Sequence, residues 1–104
     1  MESEVDICEF VENRPPDAIL LDVREKITFS HGNIPGSVNI PLDELSELYS
    51  LPKDKKIYVY CQADIFSKEV VYLLRDEGYE AYNLSGGYRK YLLEYLLSKK
   101  TLQY

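Results

Sequence analysis

The residue in this sequence best placed to do chemistry is Cys61, in the stretch YVYCQADIFSKEVVYLL. An apolar run typical of a buried strand ends at this cysteine, a short polar loop follows, and helical periodicity then begins. Backbone N–H groups of such a loop, together with a helix N-terminus, favour the thiolate, which is the nucleophilic form of cysteine. The alternative is that Cys61 only ends a buried strand, because free cysteine is among the most buried residue types. Position alone favours neither interpretation.

Cys8 and His31 are the other side chains that could bind a metal or take part in thiol chemistry. The sequence has 2 cysteines and 1 histidine and contains no C-x-x-C pair, so we expect no metal site. A structural disulfide is not expected in a reducing compartment. The sequence also has no G-x-G-x-x-G segment, which would indicate a nucleotide-binding site. Each cysteine must therefore be judged alone, and we expect no bound cofactor.

The composition is that of a soluble globular protein, and 104 residues suit a single domain spanning 1–104. No apolar run approaches the roughly 20 residues that cross a bilayer. The acidic start, MESEVD, also differs from the basic start of a signal peptide, so we expect a cytoplasmic protein that does not bind membranes. The net charge is -6, the excess acids lie in residues 1–25, and the sequence has no basic stripe. Nucleic acid is therefore not an expected partner.

Apolar and amphipathic segments alternate along the chain, which is typical of an α/β fold. Strands are predicted in AILLDVR, KKIYVYC and YEAYNL, with a brief β-branched piece at residues 38–40. Helices are predicted in VDICEFVEN, LDELSELY, FSKEVVYLLRDEG and GGYRKYLLEYLLSKK. This order predicts a mostly parallel sheet with right-handed crossovers.

Two of the predicted helices have a well-defined face that we expect to pack against the sheet. In the helix after the Cys61 loop, this face comprises Phe66, Val70, Leu73, Leu74 and Glu77. In the last helix, it comprises Tyr88, Tyr91, Leu92, Tyr95 and Leu96. We expect the hydroxyls of the three tyrosines to reach water.

The loops that follow the strands are the expected ligand site, because ligands of open parallel sheets bind beyond the carboxyl ends of the strands. This rule selects three segments of the sequence, DVREK, CQADIF and SGGYR. Cys61 lies in the second of them, which strengthens its case as a functional residue.

Four segments, taken together, resemble the successive motifs of a single-domain rhodanese: LLDVRE, GNIPGSVNIPL, YVYCQADIFS and GYEAYNLSGGYRKY. The resemblance covers about residues 4–95 and depends on both the order and the spacing of the motifs. It implies an α/β fold with a parallel sheet of four or five strands flanked by helices on both faces. It also implies that Cys61 accepts a sulfane sulfur as a persulfide and passes it to cyanide, a thiol or a protein. The expected partners are therefore a small sulfane-sulfur donor or a protein sulfur acceptor.

The same resemblance assigns roles to residues around Cys61. Asp22 and Arg24 are implied as supporting residues beside the active-site loop, and Gly86 and Gly87 as positions that let the next loop approach it closely. Asn33 stands where the family has a histidine, so His31 is expected to be exposed and is given no role. The residues of the active-site loop itself are Gln62, Ala63, Asp64, Ile65, Phe66 and Ser67.

This loop departs from the C-R-x-G-x-R-S pattern that active sulfurtransferases commonly have, because Gln62, Asp64 and Phe66 replace Arg, Gly and Arg. Both loop cations are missing, and Asp64 adds an anion that would repel a thiolate at ~6 Å by about 0.7 to 3 kcal/mol. We therefore expect weak use of thiosulfate. Asp64 can still adopt the positive φ of the replaced glycine. Phe66 is either an apolar wall at the pocket mouth or a hydrophobic anchor at the start of the helix.

Three functions are compatible with these residues. The first is a sulfur carrier or sulfurtransferase that uses Cys61 and takes sulfur from a persulfide or a protein rather than from thiosulfate. The second is a catalytically weak rhodanese-fold module that binds a partner. The third is the thiol-disulfide partner domain of a coenzyme A disulfide or persulfide reductase, because YCQ and NLSGGYRKY are similar to the rhodanese domains fused to such enzymes. Phosphatase chemistry is not expected, because Ser67 stands where C-x5-R requires arginine.

Overall fold

The computed structural model describes residues 3–98, which contain a five-stranded sheet with the strand order β1-β5-β4-β2-β3. Every neighbouring pair of strands is parallel, which confirms the predicted α/β fold. The strands are β1 Glu4–Asp6, β2 Ile19–Asp22, β3 Val38–Asn39, β4 Ile57–Tyr60 and β5 Ala81–Ser85.

A helix lies between each two successive strands along the chain, as is usual for the crossover connections of parallel strands. The helices are α1 Ile7–Glu12, α2 Lys26–His31, a 3-10 helix Leu42–Ser50, α3 Ile65–Asp76 and α4 Gly87–Lys90, which continues as a π-helix Tyr91–Leu96. The sequence did not predict α2. The predicted last helix extends to residue 100, and its final two residues lie outside the described part of the chain. Within residues 3–98, every helix is too short or too polar to span a bilayer.

The sheet is buried on both faces, and the alternation of side chains along β4 divides the core into two clusters. Ile57 and Val59 belong to a cluster that includes the apolar side chains of α3. Tyr58 and Tyr60 belong to the opposite cluster, which includes Ile7 and Phe10 of α1. The predicted packing of the last helix is confirmed, because its five apolar residues join this second cluster, namely Tyr88, Tyr91, Leu92, Tyr95 and Leu96.

The predicted first helix is partly wrong, because its first residues form a strand. Residues Glu4–Asp6 of β1 pair with Asn83 to Ser85 of β5, and α1 begins only at Ile7. Asp6 ends the strand and caps the helix by accepting a hydrogen bond of 3.0 Å from the backbone N–H of Glu9. A strand of three residues is too short for its alternation to be distinguished from the first turn of a helix.

The predicted buried face of α3 is also partly wrong. The buried residues of this helix are Ser67, Val70, Val71 and Leu74. Phe66 and Leu73 are 55% and 38% exposed, so the true face lies closer to Ser67 than the sequence suggested. Ser67 lies on this buried face and contacts Cys61, so a small polar residue of α3 faces the sheet.

Replacing two adjacent leucines of α3 tests this orientation. Leu74 is 0% exposed, so Leu74→Ala should lower the free energy of unfolding by about 2–5 kcal/mol. Leu73→Ala removes the same atoms from a residue that is 38% exposed and should cost less than about 1 kcal/mol. Urea unfolding of both variants measures the difference. Equal losses would mean that both leucines face the core, as the sequence pattern predicted.

Candidate active site

The loops after β2, β4 and β5 meet at one edge of the sheet, where Cys61 directly follows β4. Cys61 is only 3% exposed, yet it lines an open cleft of about 860 Å³. Arg24, Gln62 and Phe66 line the same cleft. The structure therefore brings the cysteine, part of its own loop and the segment after β2 to a common surface.

Ser67 makes the closest polar contacts of the Cys61 sulfur. Its backbone N–H donates to Sγ at 3.4 Å, and the thiol donates to Ser67 Oγ at 3.3 Å. Ser67 lies in the first turn of the twelve-residue helix α3, so the sulfur is at the positive end of the helix dipole. In the thiolate state, the serine hydroxyl can turn and donate to the sulfur. This arrangement supports a nucleophilic thiolate and gives Ser67 a contact that the sequence did not predict.

Asp64 adopts a positive φ of 76°, as its position in the loop predicted. Both oxygens of its carboxylate accept hydrogen bonds of 3.0 Å from the backbone N–H of Gly86, and Oδ1 accepts a third bond of 3.2 Å from the side-chain amide of Asn83. These donors compensate part of the carboxylate charge and reduce the repulsion that a thiolate at Cys61 would feel. Asp64 therefore also fastens the active-site loop to the end of β5.

The turn formed by Gly86 and Gly87 packs directly on the backbone of the Cys61 loop. The φ angles of the two glycines are 99° and 66°, in the left-handed region that favours glycine. A Cβ atom at Gly87 would lie 2.5 Å from the carbonyl oxygen of Gln62 and 2.8 Å from that of Cys61. Just beyond the turn, the N–H of Tyr88 donates to the Cys61 carbonyl at 2.8 Å. These contacts hold the loop against the start of α4.

Asp22 and Arg24 form a buried ion pair beside the cleft. Arg24 Nε and Nη2 lie 2.7 to 3.1 Å from the carboxylate of Asp22, which is 0% exposed. Nη2 also donates to the carbonyl of Gly32 at 2.7 Å, and the guanidinium carbon lies 4.1 Å from the centre of the Tyr88 ring. Burial alone would lower the pKa of Arg24, but hydrogen bonds and the charge of Asp22 outweigh it and raise that pKa. The positive charge of Arg24 is thus directed to Asp22 rather than to a ligand.

The other residues of the loop differ in where they lie. Gln62 and Phe66 line the cleft, whereas Ala63 and Ile65 are exposed outside its lining. Phe66 is 55% exposed, so it is a wall of the cleft, and the interpretation as a hydrophobic anchor is wrong. His31 is exposed at the end of α2, as expected.

Cys8 lies away from the cleft, among the partly buried residues of the second core cluster. Burial raises the pKa of its thiol and so favours the unreactive form. In the described part of the chain, no group of three His, Cys, Asp or Glu side chains is arranged to hold a metal ion.

Residues of α2 and of the 3-10 helix form the other wall of the cleft, which the sequence did not predict. Six residues that line the cleft lie outside the three loop segments selected from the sequence, namely Ile27, Thr28, Pro41, Leu42, Asp43 and Glu44. The predicted helix LDELSELY contained three of these residues, but nothing in its pattern indicated that it faces Cys61.

The family model of the Rhodanese-like domain matches residues 9–94. The chain belongs to the rhodanese-like domain family. Among related sequences, the uncharacterized protein YqhL of Bacillus subtilis is 42% identical over 76 residues, which are 71% of this chain and 60% of YqhL. A tRNA sulfurtransferase of Desulfurococcus amylolyticus is 30% identical over 83 residues, which are 80% of this chain and 17% of that protein. This rhodanese-like domain therefore spans only part of either relative.

Solved structures have the same fold. A rhodanese-related protein from Thermoplasma volcanium superposes with a TM-score of 0.82 at 31% identity, covering 91% of this chain and 94% of that one. The reduced CoADR-RHD of Bacillus anthracis superposes with a TM-score of 0.74 at 38% identity, covering 86% of this chain and 16% of that one. The five-stranded sheet is thus the rhodanese-like fold.

Two glycine-to-alanine variants distinguish the steric effect of the close contact at Gly87 from the strain of a positive φ alone. Gly78 has a similar positive φ of 92°, but a Cβ there would meet only the end of the Lys53 side chain, at 3.9 Å. Gly78→Ala should therefore lower the free energy of unfolding by about 1–2 kcal/mol, the cost of a left-handed residue. Gly87→Ala should cost about 1–3 kcal/mol more, because the backbone of the Cys61 loop must move. Denaturant unfolding measures both, and equal losses would exclude the close contact.

Proposed function

We propose that this rhodanese-like domain carries sulfane sulfur on Cys61 and transfers it to an acceptor thiol. The observation that carries this proposal is the position of Cys61 Sγ, which borders the cleft and receives the Ser67 N–H at 3.4 Å. A sulfur atom at the N-terminus of a helix is stabilised as the thiolate, the form that attacks a donor. The name of the tRNA sulfurtransferase relative supports sulfur transfer as the activity.

The proposed reaction consists of two displacements at sulfur. The Cys61 thiolate attacks the outer sulfur of a donor R–S–SH, a new bond forms to Sγ, and the sulfur–sulfur bond of the donor breaks to release R–S⁻. Cys61 then carries the –S–SH group. An acceptor thiolate attacks the outer sulfur, takes the –SH group as its own persulfide and releases the Cys61 thiolate. Sulfur is transferred without net oxidation, so no cofactor is required.

A persulfide suits this site better than thiosulfate as the donor. Thiosulfate is a dianion, and the active-site loop has Gln62 and Phe66 where cations are common in active sulfurtransferases. Arg24, the arginine that lines the cleft, is paired with the buried Asp22. Loss of loop cations therefore weakens capture of an anionic donor without affecting the contacts of the sulfur itself.

Mass spectrometry of the protein after incubation with a cysteine persulfide tests the carrier role. We expect an added mass of about 32 Da, one sulfur atom, on Cys61. Cys8→Ser should retain this addition and Cys61→Ser should lose it, since burial keeps Cys8 unreactive. Addition at Cys8 alone, or no addition, would reject the carrier role and favour a module that only binds a partner.

Replacing Phe66 tests whether missing charge limits the use of thiosulfate. Phe66→Arg places a cation on the cleft at about 6 Å from the substrate, which should raise kcat/KM for thiosulfate by roughly 3- to 100-fold. Phe66→Gln is the matched control, because it removes the ring without adding charge. Asp64 is kept in both variants, since its carboxylate binds Gly86. No difference between the two variants would show that charge is not the deficit.

A second candidate function is that of a thiol-disulfide partner domain of a coenzyme A disulfide or persulfide reductase. It is favoured by the 38% identity to CoADR-RHD, of which this domain corresponds to 16%. In that role, Cys61 would react with coenzyme A disulfide and retain one coenzyme A as a mixed disulfide. Mass spectra taken after a separate incubation with coenzyme A disulfide test this role, because the expected adduct on Cys61 is far heavier than one sulfur atom.

A further inference from the structure

The walls of the cleft beside Cys61 are apolar over much of their extent. Ile27 and Phe66 line it and are 64% and 55% exposed, and Leu42 is 37% exposed. Exposed apolar residues that gather at one concave surface commonly mark a ligand site. The volume of about 860 Å³ lies within the range of about 300–1,000 Å³ found for sites of small organic ligands. The cleft is therefore larger and more apolar than an inorganic sulfur anion requires.

The charged residues of the cleft have a small excess of acids, with three carboxylates and two cations. Its lining includes the carboxylates of Glu25, Asp43 and Glu44 and the cations of Arg24 and Lys26. Lys26 Nζ lies 3.3 Å from Glu44 Oε2, and Arg24 is bound to the buried Asp22, which is not itself part of the lining. The cations of the cleft are thus paired, which leaves an excess of negative charge at its wall.

We infer that this cleft selects an organic persulfide or thiol whose body is apolar and either neutral or cationic, and that it disfavours anionic ones. The inference deepens the proposed function, on which it rests, by naming the class of its small substrates. Phe66 and Ile27 supply the apolar contact, whereas Glu25 and Asp43 repel anions. These residues determine specificity and do not touch the reacting sulfur.

Selection by charge also separates the candidate donors. Coenzyme A and thiosulfate are both anionic, so the acidic wall opposes both. A low-molecular-weight persulfide with an uncharged or amine-bearing body meets no such barrier and can bury its carbon atoms against Phe66. The charged part of this preference arises from Glu25, at the N-cap of α2, and from Asp43 of the 3-10 helix, whereas Phe66 belongs to the active-site loop.

Methanethiosulfonate reagents test this preference directly, because they differ only in the group attached to the transferred sulfur. The Cys61 thiolate attacks the sulfenyl sulfur, forms a mixed disulfide and releases methanesulfinate, whatever that group is. We would measure rates with the trimethylammonium-ethyl, sulfonato-ethyl, methyl and benzyl reagents, using Cys8→Ser so that only Cys61 reacts. Sulfur loading is not needed, so a failure of the carrier role and a failure of this inference are distinguishable.

The charge comparison uses a variant of the cleft and a matched variant outside it. The double change Glu25→Gln, Asp43→Asn should lower the ratio of the cationic to the anionic rate by about 3- to 10-fold at low salt. Glu25 makes no side-chain cap to α2, so its replacement leaves that helix intact. Glu47→Gln changes an exposed carboxylate that does not line the cleft and should leave the ratio unchanged. The rate ratio of each variant is compared with that of the Cys8→Ser protein, so differences in intrinsic reactivity between the reagents cancel.

The apolar comparison uses the benzyl and methyl reagents. Phe66→Ala should lower the ratio of the benzyl to the methyl rate by about threefold or more, because burial of each carbon group contributes a factor of about four. Leu73→Ala, on the solvent side of the same helix, should leave it unchanged. If both ratios stay the same in the cleft variants, the cleft does not select by charge or by apolar contact, and the inference is overturned.

Discussion

The position of Cys61 depends on a close contact between two loop backbones at the carboxyl edge of the sheet. The carbonyls of Cys61 and Gln62 accept hydrogen bonds from Tyr88 and Arg89 at 2.8 and 3.2 Å, and Gly87 lies against both carbonyls with no room for a Cβ. Since these carbonyls point toward α4, their partial negative charge is directed to donors rather than to the sulfur. The sulfur then meets the N–H of Ser67 at the start of α3.

The buried ion pair of Asp22 and Arg24 places a cation beside the cleft. The charge of Arg24 is compensated by Asp22, so it is not available to bind a ligand. A guanidinium this deeply buried requires a partner, since an unpaired buried charge would be strongly destabilising. Asp22 meets that requirement, and the ring of Tyr88 covers the guanidinium at 4.1 Å. Arg24 therefore joins the ends of β2 and α2 through Asp22 and Gly32 and acts as structure within the site.

The sequence predicted the sheet mainly because β2 and β4 are formed by apolar runs, and a run buried on both faces needs no knowledge of its neighbours to be identified. Cys61 followed from the same reasoning, because it is the residue at which the run of β4 meets a loop. Two short elements, β1 and α2, could not be predicted in this way. Residues 4–6 become a strand only because the edge of β5 is available for pairing, and that depends on the tertiary structure.

The exposure of Phe66 and the acidic wall show a further limit of sequence patterns. Phe66, Leu73 and Leu74 are all apolar at helical spacing, but only Leu74 is buried, and the pattern does not distinguish it from the other two. Glu25, Asp43 and Glu44 come from two elements that are distant from residue 61 in sequence, so their approach to it requires the fold. Patterning identifies which segments are buried, but the composition of a cleft depends on how separate segments meet.

The proposed transfer and the inferred selection rest on different parts of this domain. The Cys61 sulfur lies 3.3 to 3.4 Å from polar atoms of Ser67, at the start of α3. The carboxylates of Glu25 and Asp43 are exposed to water, so solvent screens their effect on the sulfur itself. A charged substrate that enters the cleft approaches these carboxylates directly and displaces part of that water. The inferred selection by charge therefore acts on the substrate more than on Cys61, because screening weakens the field of these carboxylates at the sulfur more than at a ligand in contact with them.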